Sequence, residues 1–264
     1  MSTKITILGC GSSGGVPRVG QGWGACDPKN PKNRRRRCSL LVERTGPAGT
    51  TRVLVDTSPD LREQLLDQGS DHLDAILMTH PHADHTNGID DVRPLVLKAK
   101  RRITIHMDDH TASVVRRGFG YIFETPPGSG YPPLLDEARL EPGRSVVVEG
   151  PGGAIEALPF RVHHGEIDAL GFRFGDVAYS PDLNAIPDAS LPALENLDLW
   201  IVDALRYTRH PSHFSLEETL GWIARMRPAR AILTNLHTDM DYATLAATLP
   251  AGIEPAFDGM VAEA

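Results

Sequence analysis

Cysteine is scarce in this 264-residue sequence. Cys10, Cys26 and Cys38 are an odd number without paired spacing, which argues against a disulfide framework. No segment approaches the ~18 continuous apolar residues of a membrane helix. The opening "MSTKITILGCGSSGG" has neither the charged start nor the cleavage signal of a signal peptide. Positive charge is not in excess: the formal net charge is −7 and the pI near 5.9, so no global attraction draws the chain to nucleic acid. The one basic run, Arg34 to Arg37 in "RRRRC", reads first as a solvated loop. It becomes a phosphate clamp only if the fold brings it to a site. The expectation is a cytoplasmic globule with no membrane segment, large enough to bury about 70–75% of its unfolded surface without a metal or disulfide staple.

The pattern is one of strands mixed with helices. "KITILGCG", "TRVLVDTS", "LDAILMTH" and "RRITIHM" read as strands closed by turn residues. "PDLREQLLDQG" reads as a helix stopped at Gly69, and "DHTASVVRRGFGYIF" as helical in its first half. A Pro/Gly-rich zone, Thr125 to Gly143, is read as a long surface loop between two halves. Strands "SVVVEG", "AIEALPFRV", "LGFRFG", "VAYSPD", "DLWIVDA" and "RAILTN" follow, with helices "SLEETLGWIARM" and "DYATLAATL". Each half, roughly 1–124 and 144–264, opens with strands and closes with strand–helix alternation. That organisation suggests a single α/β domain over 1–264, a four-layer αββα sandwich with its site along one edge.

Histidine is what this sequence has in an unusual place. Of 11 histidines, three crowd with an aspartate into "HPHADH", residues 80–85. The segment follows an apolar strand, and His80 and His82, two apart, project from one side when extended. Neutral imidazoles and a carboxylate are ligand types that borderline divalent metals take. One metal cannot easily use all four from so short a segment, whereas two adjacent metals can. Further ligand candidates stand where other apolar runs end: His163 and His164, Asp182, and His237.

These motifs, with "GCGSSGGVP" near the start and "VDTS" before the first helix, resemble the metallo-β-lactamase fold superfamily over essentially the whole chain. "GSSGGVP" followed by "WGAC", "HPSHFSLEETL" and the terminal "FDGM" resemble its phosphoribosyl 1,2-cyclic phosphate phosphodiesterases. The resemblance implies two divalent ions, zinc or manganese. His80, His82 and His164 would hold one; Asp84, His85 and His237 the other, with Asp182 bridging. His164 is preferred to His163 because the family's ligand precedes a small residue such as Gly165, and adjacent strand residues face opposite ways. His163 is then expected beside the site. The family's last histidine directly follows "LT", where Asn235 stands here, so the assignment passes to His237. Of the C-x-C-x-x-C pattern that holds a structural zinc in many relatives only Cys26 remains, and Thr238 replaces a histidine, so that accessory zinc is not expected.

Two metals about 3.5–4 Å apart suit in-line displacement at phosphorus. The leaving alkoxide needs a proton. His213 matches the family's catalytic histidine and is the expected general acid, with His210 as fallback and Asp84 counted among the catalytic groups. Asp56 and Asp203, each closing an apolar run, are candidates for orienting metal-bound or catalytic histidines; a strand-end turn explains either as well. The "GSSGG" loop offers backbone N–H groups to a phosphate or is simply a tight turn. The expected function is a metal-dependent phosphodiesterase for a small cyclic or nucleotide-like phosphate ester, with a homodimer as the assembly to test. The rivals are a ribonuclease Z-like nuclease, disfavoured by the charge and the lack of a long basic insertion, and a non-catalytic carrier resembling the pyrroloquinoline quinone pathway's B protein. A thioester or lactam hydrolase remains open on chemical grounds.

Overall fold

The computed structural model describes residues 3–263. The chain alternates on both sides of its strands, and this sets the layers. In the first half, β1 (Thr3–Gly9), β2 (Ser39–Gly46), β3 (Gly49–Val55), β4 (Ala75–Leu77), β5 (Ile103–Met107) and β6 (Leu135–Arg139) line up in chain order. The second sheet runs β7 (Val146–Val148), β8 (Ile155–His164), β9 (Ile167–Phe174), β10 (Val177–Ser180), β11 (Leu199–Asp203), β12 (Arg230–Thr234) and β13 (Ile253–Pro255), also consecutively. The last strand, β14 (Met260–Glu263), returns to the first sheet and pairs antiparallel with β1.

Both faces of the central strands are buried, which is why they read as continuous apolar runs rather than alternating ones. Ile5, Leu40, Val53 and Leu77 meet Phe172, Tyr179, Ile201 and Ile232 between the sheets. Their odd neighbours face out. Leu41, Leu54 and Ile76 pack under α1 (Leu61–Asp67), α3 (Arg93–Ala99) and α4 (Asp109–Phe119). Trp200, Val202 and Leu233 pack under α5 (Leu216–Met226) and α6 (Tyr242–Thr248). Together with the one-turn α2 (Ala83–Thr86), the result is helix, sheet, sheet, helix. No helix among the described residues is long and apolar enough to cross a membrane.

Two expectations change. The Pro/Gly-rich zone is not all loop: Leu135–Arg139 forms β6, paired in parallel with β5 at the sheet edge. Its charged sequence "LDEAR" hides it, because only Leu135 is buried within the strand. β2, in "SLLVERTG", lies centrally between β1 and β3 and was not anticipated either.

The helix caps give one acid-sensitive lock. Asp241 caps α6 by accepting from the Thr244 N–H at 2.9 Å. It also accepts from the Asp27 N–H at 3.1 Å and from Asn33 Nδ2 at 2.7 Å, tying α6 to the loop before β2. Partial burial opposes the charge, but these donors outweigh it and lower the Asp241 carboxyl to about 2. A carboxyl lowered on folding stabilises above its unfolded pKa, and that contribution fades as pH falls toward the folded value. Asp241→Ala should therefore cost about 1 kcal/mol near neutrality, measured by chemical denaturation. The gap to the unaltered protein should close between about pH 4 and pH 2; a gap independent of pH would contradict the assignment.

Candidate metal centre

The parallel strands of both sheets end at one edge, and their last side chains turn into it. Asp56 follows β3 in a left-handed backbone conformation, φ 64°, which aspartate tolerates better than most residues. Its carboxylate is fully buried. Oδ1 accepts from the Thr79 N–H at 2.8 Å, and Oδ2 from Thr79 Oγ1 at 2.8 Å and from His85 Nδ1 at 2.7 Å. Asp56 thus contacts the cluster through two residues, Thr79 and His85, an arrangement suited to the orienting role.

These bonds fix the tautomers. The Thr79 hydroxyl gives its proton to Asp56, so it accepts from His80 Nδ1 at 2.9 Å, which leaves His80 Nε2 a bare lone pair. His164 Nδ1 lies 2.7 Å from the Ser212 carbonyl oxygen; that oxygen only accepts, so His164 Nε2 is also bare. Gly165 makes the approach possible: its φ is +63°, and a Cβ there would meet Ser212 Cβ at 2.8 Å. His82 Nδ1 lies 3.1 Å from both His80 Nε2 and His164 Nε2. One nitrogen has at most one proton to offer two lone pairs. A tetrahedral zinc with bonds of about 2.0–2.1 Å has ligand–ligand edges of about 3.3–3.4 Å, close to this triangle. The three nitrogens fit a shared cation.

Asp182, buried at the end of β10, joins this triangle to a second group. Its Oδ2 is 3.9 Å from His80 Nε2 and 3.8 Å from His164 Nε2, and its Oδ1 is 3.3 Å from His85 Nε2. His85 Nε2 also lies 3.6 Å from Asp84 Oδ2. Three sets of ligand atoms converge: His80, His82 and His164; His80, His85 and Asp182; and His164, Asp182 and His213. Burial and neighbouring imidazoles hold His80 below its ordinary pKa; burial does the same to His82 and His164, where partner carboxylates do not overcome it. All three are neutral, ready to ligate. Burial works against charge on His85, but Asp182, Asp56 and Asp84 raise it well above the usual range. Without a cation His85 carries a proton between carboxylates; a cation there takes over that role.

His213 sits at the margin of the cluster, its ring centroid 4.6 Å from that of His164. Its Nδ1 donates to Asp203 Oδ2 at 2.8 Å. Asp203 ends β11 fully buried, and the same oxygen accepts the Leu183 N–H at 3.1 Å. Burial opposes charge on His213, yet Asp203 and then Asp182 raise it to about 9. His210 stands beside it, ring centroids 5.1 Å apart, with Nδ1 3.1 Å from Ser212 Oγ.

His237 does not join the ligands. It lies three residues past β12, bonds Asp239 Oδ1 through Nδ1 at 3.0 Å, and lines the neighbouring cavity instead. Asn235 is the residue that reaches the cluster. Its φ of 61° swings the side chain inward, and Nδ2 stands 3.3 Å from Asp182 Oδ1 and 3.1 Å from His213 Nδ1. His213 Nδ1 already donates to Asp203 and cannot also accept, so the opposite amide orientation, with Oδ1 inward, suits a cation beside Asp182. His163 also falls away from the site. It faces the other side of β8, 2.8 Å from Asp168 Oδ1, on a separate cavity of about 570 Å³ walled by Leu158, Phe160 and Pro187. That cavity is larger but holds no converging ligands.

The chemistry faces a cavity of about 210 Å³ lined by Ser12, Ser13, Arg18, His82, Asp84, His164, Asp182, Leu205, Arg206, His210, Ser212, His213 and His237. None of Arg34 to Arg37 lines it. Arg36 pairs with Asp67 and Asp258, Arg37 with Asp60, and Arg34 is exposed. Arg35 is buried, bonding Met240 O at 2.8 Å and Cys26 Sγ at 3.7 Å. In the glycine-rich loop the Gly15 N–H bonds the Ser12 carbonyl as in a tight turn, while those of Gly11, Ser12 and Val16 bond the carbonyls of Arg36, Leu236 and Arg35, so these four are already used within the chain. Sequence reasoning missed Arg18, Arg206 and Ser212.

The sequence model of the family described as "Beta-lactamase superfamily domain" matches residues 51–235, the span from β3 to Asn235. The chain belongs to this family. A solved structure titled a new diphosphatase from the PhnP family superposes with TM-score 0.90 at 35% identity, covering 100% of this chain and 98% of that one. A curated octanoyltransferase of Porphyromonas gingivalis is 32% identical over 98% of this chain and 51% of its own length. A ribonuclease Z of Bradyrhizobium sp. is 33% identical over 54% of this chain and 46% of its own. The chain thus spans about half the length of the curated relatives it matches. The αββα architecture is shared with that solved structure, and the histidine and aspartate clusters fit divalent-metal binding.

Asp182→Ala, at the junction of the groups, should lower the divalent-metal content of protein purified without chelators, while cooperative thermal unfolding persists. His237→Ala should leave the content unchanged by elemental analysis. Metal loss on His237→Ala would return that residue to the ligand set.

Proposed function

We propose that this chain is a dinuclear metal-dependent phosphodiesterase acting on a small cyclic or nucleotide-like phosphate ester. The observation that carries this reading is the placement of Asp182. One oxygen faces His80 and His164, the other faces His85, so a single carboxylate serves two adjacent positions. His80, His82 and His164 would hold one ion; Asp84, His85 and Asn235 the other. Divalent ions there supply Lewis-acid stabilisation of phosphoryl oxygens and a water of lowered pKa. The protein's own residues do the rest. Asp203 accepts the His213 Nδ1 proton and fixes the ring in the pocket, so the proton for the leaving alkoxide comes from Nε2.

The half-length identity to ribonuclease Z favours a second reading, cleavage of precursor tRNA. The 210 Å³ cavity and the net charge of −7 support a small substrate instead. The name octanoyltransferase belongs to a protein about twice as long as this match; here all three cysteines are buried and the cavity is polar. A side-by-side hydrolysis screen should include cyclic ribose phosphates, 2′,3′- and 3′,5′-cyclic nucleotides, nucleoside diphosphate esters and precursor tRNA. Turnover of a small ester with intact tRNA is expected; tRNA cleavage alone would overturn the reading.

The general-acid role predicts a leaving-group effect. His213→Ala should lower turnover of an alkyl or ribosyl phosphodiester by roughly 10²–10⁴-fold. It should affect bis(p-nitrophenyl) phosphate much less, because that phenolate leaves without a proton. Equal losses on both esters at unchanged metal content would sink the role and turn attention to His210.

A further inference from the structure

The larger cavity lies away from the imidazole cluster, at the outer edge of β8. It holds about 570 Å³, inside the about 300–1,000 Å³ of pockets that enclose small ligands. The topology creates it. β7 covers β8 only along Ile155, Glu156 and Ala157. Among the described residues that edge then pairs with nothing further until His163 bridges Ala185. The gap is bounded by Pro142 and Gly143 on one side and by the 3-10 segment Asp188–Leu194 on the other. Its walls are apolar: Leu158, Pro159, Phe160, Pro187, Pro192 and Ala193. A Cβ at Gly171 would come within 2.3 Å of the Phe160 ring, so the glycine leaves room for the ring to lie against β9.

The backbone groups at this edge are unequally spent. Both outward carbonyls are used: Pro159 O accepts the Gly143 N–H at 2.8 Å, and Arg161 O accepts from Ser190 Oγ at 2.7 Å. A donor is left over. Leu170, opposite Arg161, gives its N–H to Thr79 O rather than to β8, so these two form a pair that exchanges no backbone bonds. The Arg161 N–H therefore points to the open edge, and among the described residues no acceptor meets it. The Arg161 guanidinium and the His163 ring stand at the rim and share one carboxylate, Asp168, at 3.1 and 2.8 Å. A peptide would bring donors for which this edge has no free carbonyl. An anion brings acceptors alone. The ligand that fits has an apolar body and a carboxylate.

We propose that this edge cavity binds a medium-chain carboxylic acid, its alkyl chain along Leu158, Phe160 and Ala193 and its carboxylate at Arg161 and His163. The site is independent of the metal chemistry and of the phosphodiesterase reading. It nevertheless lies one residue from the cluster: His163 faces the cavity, while His164, next in β8, faces the imidazole triangle. Arg161, His163 and Asp168 are about half exposed, so burial of the chain supplies most of the affinity and the rim sets the orientation.

The test reads binding to the metal-loaded full chain by titration calorimetry with hexanoate, octanoate and octanol. Octanoate should bind about tenfold tighter than hexanoate, the gain from two buried methylenes. It should also bind several-fold tighter than octanol, which lacks the charge. Ala189 lines the cavity and is exposed, so Ala189→Trp fills the space without disturbing the core and should weaken both eight-carbon ligands. Arg161→Gln should bring octanoate toward the octanol value and leave octanol unchanged. Absent saturable binding, an affinity that does not grow with chain length, or octanol binding as tightly as octanoate would overturn the proposal. So would undiminished octanoate binding in folded Ala189→Trp and Arg161→Gln proteins.

Discussion

Bare imidazole lone pairs held against one another in a buried site are the constraint on which the rest depends. His80 Nε2 and His164 Nε2 are both stripped of protons by bonds made at their other nitrogens, and His82 Nδ1 faces both at 3.1 Å. His80 is fully buried and His164 is 3% exposed, while His82 opens to solvent; a shared cation would satisfy the three nitrogens at once. Without a cation, protonation of His85 is the compensation for Asp182, Asp56 and Asp84.

The scaffold is built to hold that arrangement rigid. β3, β4 and β5 run parallel in one sheet, and β10 to β13 in the other. Their C-terminal ends deliver Asp56, Thr79 and His80 from one side and Asp182, Asp203 and Asn235 from the other. Open α/β sheets place ligands at such carboxyl ends, and here two sheets share one edge. The bonds from Thr79 to Asp56, from His164 to the Ser212 carbonyl and from His213 to Asp203 belong to the same design. The first leaves the Thr79 hydroxyl to accept from His80 Nδ1, and the other two commit one ring nitrogen so that the second is free for a ligand or a proton.

Much of this was legible in the sequence because it is local. The spacing of His80, His82, Asp84 and His85 after an apolar strand is a short-range signal, and each apolar run closing on Asp56, Asp182 or Asp203 marked a strand end. The errors come from geometry that spacing does not encode. Asn235 enters the cluster because its left-handed backbone turns the side chain inward, while His237, the better ligand by residue type, is carried to the neighbouring cavity. The four-arginine run reads first as a solvated loop, and as a phosphate clamp only on condition that the fold brings it to the site. It stays outside the cavity, and three of its members are committed to Asp67, Asp258, Asp60 and the Met240 carbonyl. The arginines that do reach the cavity, Arg18 and Arg206, are isolated in sequence and carry no motif. β6 escaped because a mostly solvated edge strand has little apolar pattern to read.

The most direct measurement is an anomalous difference map from crystals grown with zinc or manganese and collected at the matching absorption edge. The account predicts one peak enclosed by His80, His82 and His164, and a second beside His85 Nε2 between Asp84 and Asp182, with Asn235 rather than His237 next to it. A map without a peak inside the histidine triangle, at full metal concentration and with the three nitrogens still 3.1 Å apart, would contradict it.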